Sequence, residues 1–382
     1  MTSHVSPLFA FPFRHSAPLT LGVELELMLV NRNDRDLAPR AQSLLDLTAA
    51  GPYHNQIVPE ITQSMIELNS SVHQRIDTLA EELRLIGRHL VESANSLGID
   101  LAGGGAHPFQ RWQERLIFPG NRYRMLSDLY GYLAKRFTVF GQHIHIGCPD
   151  GDTAVYLIHQ LGRFVPFLIV LTASSPFYQG VDTGFASARM NNVAAFPFAG
   201  HMPEVADWAG FEAYFHDMSR LGIVETMKDF YWDVRPKPEF GTVEVRICDT
   251  PLRISSAVTT TAFLQALVAW LLDERPPLDM TSLYRVYAYN RFQAARFGME
   301  ADIVDPMNAR RENIGDALSD LLERLQPYAE VLGSTAQFDA LRERVDQRDT
   351  DAEQLRRVYA ESNDWMLLVA WQVEMLRAEL DV

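Results

Sequence analysis

Three short segments of this chain alternate apolar and ionisable residues with a period of two. Residues 21–29 set Val23, Leu25 and Leu27 against Glu24 and Glu26. Residues 141–147 set Ile144 and Ile146 against His143 and His145, and residues 242–247 set Val243, Val245 and Ile247 against Glu244 and Arg246. Alternate side chains of a strand share a face, so each segment predicts a half-buried strand offering two ionisable groups from one side. Residues 55–71 also read as strand-like and carry Glu60 and Glu67. Residues 99–102 predict a short strand running into Gly103-Gly104-Gly105-Ala106-His107-Pro108, and residues 231–235 a strand joined by a turn over 236–241 to residues 242–249.

Elsewhere the apolar spacing is helical. Ile76, Leu79, Leu83, Ile86, Leu90 and Val91 predict a long amphipathic helix within residues 72–97, and further helices are expected over 38–50, 121–135, 152–173 and 211–221. From about Ser255 the chain is rich in Leu, Ala, Glu and Arg, with helical periodicity over residues 258–273, 289–297, 313–332, 335–347 and 351–379. Residues 177–200 read as a long Gly-, Asn- and Ala-rich loop around Arg189; loops of that length are usually functional or mobile. Strands mixed irregularly with helices, without strict βαβ alternation, predict an α+β fold with a mainly antiparallel sheet backed by helices. With no internal repeat or Pro/Ser-rich linker, residues 1–382 read as one domain, strand-rich over about 18–250 and helical over about 255–382.

Charge and cysteine content narrow the function classes. The chain has 34 basic and 49 acidic residues, a net charge of −15. That balance argues against non-specific binding to nucleic acid or anionic membranes, while local arginine clusters still permit anionic substrates. Cys148 and Cys248 have no CxxC partner and read as ordinary cytoplasmic thiols. Residues 1–15 lack a basic region followed by an unbroken apolar stretch, so no signal peptide is expected. The most apolar run, residues 164–173, contains Pro166 and is shorter than the roughly 20 residues a membrane span needs. A soluble cytoplasmic protein is the expectation.

The paired polar groups suggest a chemistry. Carboxylates at i and i+2 on a strand repel each other unless a cation or arginine intervenes. Glu24, Glu26, Glu60, Glu67 and Glu244 with His143 make a carboxylate-rich set with one imidazole, which suits Mg²⁺ or Mn²⁺ better than zinc. Each pair also has a plainer reading: a solvated strand face for Glu24-x-Glu26, a packed pair for His143-x-His145, a surface ion pair for Glu244-x-Arg246. Arg189, Asn191 and Asn192 read alone as plain surface, and His107 as a structural or substrate-contacting residue. The design shared by three strands favours a site over these separate readings. The glycines at 103–105 permit unusual backbone angles or close approach to a ligand, but match no Walker or dinucleotide fingerprint.

Four motifs taken together resemble the type 2 glutamate–cysteine ligase family, the ATP-dependent carboxylate–amine ligases. They are Gly22-Val23-Glu24-Leu25-Glu26, Gly141-Gln142-His143-Ile144-His145-Ile146-Gly147, Tyr231-Trp232-Asp233-Val234-Arg235-Pro236 and Thr242-Val243-Glu244-Val245-Arg246. The second and fourth also resemble strands of glutamine synthetase, the wider superfamily. The resemblance implies a curved, largely antiparallel sheet of the glutamine-synthetase-like type, with ATP and divalent metal on its concave face. It implies that a substrate carboxylate, expected to be the γ-carboxylate of glutamate, attacks the γ-phosphate of ATP to give an acyl phosphate. An amine, in the family that of cysteine, then displaces phosphate to form an amide. Carried over by motif, Glu24, Glu26, Glu67, Glu244 and His143 are expected to bind metal, with Glu60 a fifth carboxylate. His145 is expected to contact nucleotide or substrate. Arg246, with Arg235 second and Arg189 third, would meet the carboxylate or the transferring phosphoryl group, so Arg246, Arg235 and Glu244 are the expected catalytic residues. A homodimer is expected. Two alternatives stand beside this reading: a small-metabolite kinase on the same fold, and a non-catalytic nucleotide- or amino-acid-binding protein.

Overall fold

The computed structural model describes residues 12–380; residues 1–11 of the segment in which no signal peptide is expected lie outside it. Along the chain run β1 (Leu21–Asn31), α1 (Ala41–Thr48), β2 (Ile57–Pro59), β3 (Met65–Asn69), α2 (Ile76–Ser96), β4 (Ile99–Ala102), α3 (Asn121–Tyr130), α4 (Tyr132–Arg136) and β5 (Gly141–Gly147). Then come α5 (Gly151–Gly162), α6 (Val165–Thr172), β6 (Phe177–Tyr178), β7 (Val181–Asp182), α7 (Arg189–Val193), α8 (Trp208–Arg220), β8 (Val234–Lys237) and β9 (Thr242–Asp249). The remainder is α9 (Ile254–Glu274), α10 (Met280–Phe297), β10 (Asp302–Val304), β11 (Arg311–Asn313), α11 (Ile314–Leu332), α12 (Thr335–Asp346), α13 (Asp351–Ser362) and α14 (Trp365–Arg377).

The main sheet has the order β2-β3-β1-β5-β9-β8, with β4 also on β1, and every pairing in it is antiparallel. The period-two pattern settles which face is covered. Val23, Leu25, Leu27, Ile144, Ile146, Val243, Val245 and Ile247 are all buried in one apolar cluster with side chains of α2 and α9. That cluster also takes in Leu318, Leu322 and Leu325 of α11, so the strand-rich and helical parts share a core. The expected α+β architecture with a mainly antiparallel sheet is the one observed.

Several elements differ from the sequence reading, each for a local reason. The helix expected over 152–173 is two helices bent by 65°; Pro166 sits in the first turn of α6, where its missing N–H costs no hydrogen bond. The helix expected over 121–135 breaks at Gly131, whose φ of 56° lies in the region glycine tolerates. The one expected over 351–379 breaks where Asn363 turns left-handed and Asp364 caps α14. The strand expected over 231–235 is displaced to Val234–Lys237, so Pro236 lies within β8 and not in the turn; β8 ends the strand order, where proline is tolerated. α10 begins at Met280, ahead of the expected residue 289, because Asp279 caps it through Ser282 N–H. The long loop holds α7 and the small β6–β7 hairpin, and the β10–β11 hairpin interrupts the helical part. α9 has the length and apolarity of a membrane span, which the sequence reading, resting on the shorter and more apolar run 164–173, did not single out, but 83% of its most apolar stretch is packed inside the protein.

Candidate active site

Strand register assembles the polar face. β1 lies between β3 and β5, with Glu26 opposite Glu67 and Glu24 opposite His143. β9 lies between β5 and β8, with Glu244 opposite both His145 and Arg235. Directly opposed residues in antiparallel strands have Cβ atoms about 4.5–5.5 Å apart, so these pairings put the predicted side chains in contact range. The β5–β9 register slips by one between Gln142 and Ile144, leaving Arg246 and Ile247 together across from His143. Such a bulge re-aims side chains; here Arg246 reaches along its own strand to Glu244.

Three sets of ligand atoms each fall within 4.8 Å of one another: Glu24, Glu67 and His143; Glu24, His145 and Glu244; Glu26, Glu60 and Glu67. Glu24 accepts hydrogen bonds from His143 Nδ1 at 2.8 Å and His145 Nε2 at 3.1 Å. With Nε2 of His145 donating, its Nδ1, 3.0 Å from Thr242 Oγ1, takes the hydroxyl proton. Burial works to raise the Glu24 carboxyl, but the two imidazoles outweigh it and hold Glu24 well below the carboxylate range. Burial, reinforced by the Arg246 charge, lowers His143 to about 4, so at neutral pH it is the uncharged imidazole that can ligate a metal.

The other carboxylates divide into two kinds. Burial would raise Glu244 as well, yet the charges of Arg235 and Arg246 hold it far below the usual range. Arg235 Nε lies 2.6 Å from Glu244 Oε2, while Arg235 Nη1 donates to the carbonyls of Met227 and Phe230. Glu26, Glu60 and Glu67 go the other way. Burial, then the neighbouring Glu60, pushes Glu26 up to about 8. Burial, then Glu24, Glu60 and Glu26, pushes Glu67 well above its ordinary value, and burial raises Glu60 too. Buried carboxyls that raise one another are the arrangement a divalent cation relieves, and an all-oxygen trio is the donor set of Mg²⁺ or Mn²⁺.

A pH dependence follows from these shifts. Between the ordinary 4.5 and about 8, folded Glu26 keeps a proton that the unfolded chain releases, so the folded state binds more protons and stability falls as pH rises. Each such carboxyl contributes up to about 1.4 kcal/mol per pH unit. Metal-free protein is therefore expected to melt at lower temperature at pH 8 than at pH 6, and saturating Mg²⁺ to flatten or reverse that trend. A metal-free melting temperature that rises across this interval would contradict the assignment.

Glu24, Glu26, Glu60, Glu67, His143, Glu244, Arg235 and Arg246 line one cavity of about 190 Å³. His145 lies on a second cavity of about 600 Å³, which shares Glu24 and is bordered by Ser70, Val72 and Phe240. Arg189 lines a small pocket of about 20 Å³ that shares Glu26, His143 and Arg246 with the first cavity. Its guanidinium donates to the carbonyls of Ile247 (3.3 Å) and Arg246 (3.2 Å) and lies 4.0 Å from Asp249. A Cβ at Gly141 would come within 2.2 Å of that guanidinium, so the glycine that opens β5 makes room for it. Asn192 is buried and accepts from Arg136, so neither it nor Arg189 is plain surface.

The glycine run approaches its own chain and not an open cavity: a Cβ at Gly105 would collide with Asp249, 2.5 Å away. Asp249 in turn accepts from Ser174 N, Ser175 Oγ and Ser187 Oγ. His107 is structural, with Nε2 on the Arg35 carbonyl and Nδ1 accepting from Gln110 N–H. The cavity also presents Arg122, Tyr123, Lys228, Tyr231 and Lys237, none of them singled out from sequence as site residues. Lys237 lies two residues after Arg235 on β8 and shares its face, a signal that the turn expected over 236–241 hid. Arg122 and Lys228 carried no such signal.

A family profile described as glutamate-cysteine ligase family 2 matches residues 20–370 of the chain. A protein of Ralstonia pickettii named "Putative glutamate–cysteine ligase 2" is 50% identical over 353 residues, covering 92% of this chain and 94% of that one. A protein of Chromobacterium violaceum with the same name is 50% identical over 362 residues, covering 95% and 96%. In fold, the chain is similar to a glutamate–cysteine ligase from Francisella tularensis solved in complex with AMP, with a TM-score of 0.70 at 13% identity over 97% of this chain and 90% of that one. It is also similar to a bifunctional glutathione synthetase from Pasteurella multocida, with a TM-score of 0.69 at 16% identity over 95% of this chain and 52% of that one.

Proposed function

The chain belongs to glutamate–cysteine ligase family 2, and from that membership we propose that it is an ATP-dependent ligase joining the γ-carboxylate of glutamate to an amine, with cysteine the first amine to test. The observation that carries the reading is the single sheet face on which Glu24, Glu26, Glu67, Glu244 and His143 converge, with Glu60 just beyond β2 lining the same cavity and Arg235 and Arg246 set against Glu244. The two cavities that meet at Glu24 suit two substrates of different size. About 600 Å³ lies within the roughly 300–1,000 Å³ of ordinary ligand pockets and fits a nucleotide, while about 190 Å³ fits an amino acid. ATP in the larger and the acid in the smaller would bring the γ-phosphate and the attacking carboxylate together beside Glu24.

Mg²⁺ or Mn²⁺ held by Glu24, Glu26, Glu60, Glu67, His143 and Glu244 would neutralise phosphate charge. The chain's own part is positioning and electrostatics. Glu244 fixes both guanidiniums, Arg235 through paired bonds and Arg246 through one, so that cationic donors stand ready where negative charge develops. Glu24, ionised between two imidazoles, orients both histidines. Attack of the acid on the γ-phosphate would give an acyl phosphate and ADP; attack of the amine would then give the amide and phosphate. The buried free thiols of Cys148 and Cys248 fit a reducing cytoplasmic setting.

The test is release of ADP and phosphate from Mg-ATP with glutamate and a panel of amines including cysteine, with products identified by mass. Release that needs both acid and amine, with an amide product, supports the ligase. Release with one of them alone and a phosphorylated product would replace the reading with a kinase. Tight ATP binding without release across the panel would replace it with a binding protein.

A further inference from the structure

The smaller cavity carries cations at its mouth that make no direct ion pair with its own carboxylates. Of the five Lys and Arg side chains that line it, Arg235 and Arg246 are bound to Glu244 and Lys237 lies 3.4 Å from Glu239. Arg122, on the first turn of α3, and Lys228, on the short turn Met227–Asp229 ahead of β8, make no side-chain hydrogen bond or ion pair among the described residues. Both are exposed.

Exposed cations are ordinarily just solvated, and in isolation these two would be read that way. Three observations argue otherwise. They come from elements far apart in sequence yet line one cavity. They are close enough to repel, since the Arg122 charge is the first cause of the lowered Lys228 ammonium. And among the described residues neither is drawn into an ion pair, although Glu60 feels the Arg122 charge and Lys228 that of Glu239. Two like charges held together over an acidic floor form a site for an anion, which both neutralises them and is screened by them from the floor.

We propose that Arg122 and Lys228 clamp the carboxylate of the acid substrate that is not activated, and so select an α-amino dicarboxylate over a monocarboxylate of the same chain length. The proposal rests on the ligase reading above. It follows from the small cavity's two poles: the reacting carboxylate belongs at the glutamate-rich floor, and a second carboxylate on the same small molecule reaches the cationic mouth. The clamp residues are specificity determinants, separate from the arginines tied to Glu244.

The test compares glutamate with γ-aminobutyrate, which keeps the reacting carboxylate and lacks the other. Arg122→Gln, Lys228→Gln, the double variant and Arg122→Lys would be assayed with Mg-ATP, measuring kcat/KM for each acid and KM for ATP. The preference for glutamate is expected to shrink on the order of 10- to 100-fold per lost cation, as for a lost charge-assisted hydrogen bond, with KM for ATP moving far less and Arg122→Lys recovering part of the preference. Equal losses for both acids would overturn the clamp. So would an unchanged preference, or a rise confined to KM for ATP, which would hand the cations to the nucleotide's phosphates. If the wild-type chain turns over no acid, the ligase reading itself fails. The clamp is then judged by calorimetric affinity of the Mg²⁺-loaded protein for the same two acids, with the same outcomes deciding.

Discussion

Glu244→Gln is expected to reduce turnover by at least about 10²–10³-fold, the cost of deleting a preorganised electrostatic group. Glu244 meets His145 across one strand pairing and Arg235 across the other, and it binds Arg246 from its own strand. The amide keeps the shape and loses the charge that holds both guanidiniums in place. The same substitution strands charge in the interior, since Arg235 is only 5% exposed. Removing one partner of a buried ion pair costs about 3–5 kcal/mol, although the bonds from Arg235 to Met227 and Phe230 remain. Urea unfolding should therefore show a clear loss of stability alongside the loss of turnover, with far-ultraviolet circular dichroism unchanged in native buffer. Wild-type turnover in this variant would remove Glu244 from the catalytic group.

Glu67→Gln is expected to be as damaging to turnover, by about 10²–10³-fold, but with the opposite effect on the stability of the metal-free protein. Glu67 has burial and three neighbouring carboxyls working against its charge and only the Asn69 amide in its favour. Glutamine keeps an oxygen for Asn69 and removes the repulsion. Metal-free Glu67→Gln should then be as stable as wild type at pH 6 and more stable at pH 8, where the wild-type trio is being forced to ionise. Stabilisation by Mg²⁺, which follows from binding to the folded state, should shrink sharply in the variant. Thermal melts with and without Mg²⁺ at the two pH values check both parts. A metal-free variant much less stable than wild type, or one that Mg²⁺ stabilises equally, would mean that Glu67 is a packing residue.

The opposite stability effects of these two substitutions could not be read from the chain, because Glu67 and Glu244 look alike there. Each lies on an alternating strand with an apolar side chain on either flank. What separates them is their neighbours across the sheet: β3 sets Glu67 beside Glu26, another acid, whereas β8 sets Arg235 beside Glu244. Arg189 shows the same gap between sequence and structure. Sequence placed it in a loop as a candidate for substrate contact; the structure sets its guanidinium on β9 carbonyls beside Asp249, at the edge of a small pocket it shares with Glu26 and His143. Arg122 and Lys228 were invisible because no period marks them; only the closure of one cavity brings them together.

The sequence by itself determined the faces. A period of two leaves a strand no choice of which side chains point together, so the glutamates and histidines had to share a side opposite Val23, Ile144 and Val245 once that apolar side was buried. The breaks in α5–α6 and α13–α14 were weaker signals, because Pro166 and Asn363 permit a turn without requiring one. Only the tertiary structure decided register, the slip beside His143, and which charge stands opposite which. Those depend on pairing between strands distant in the chain, where a shift of a single residue changes every partner while leaving each strand's own pattern intact.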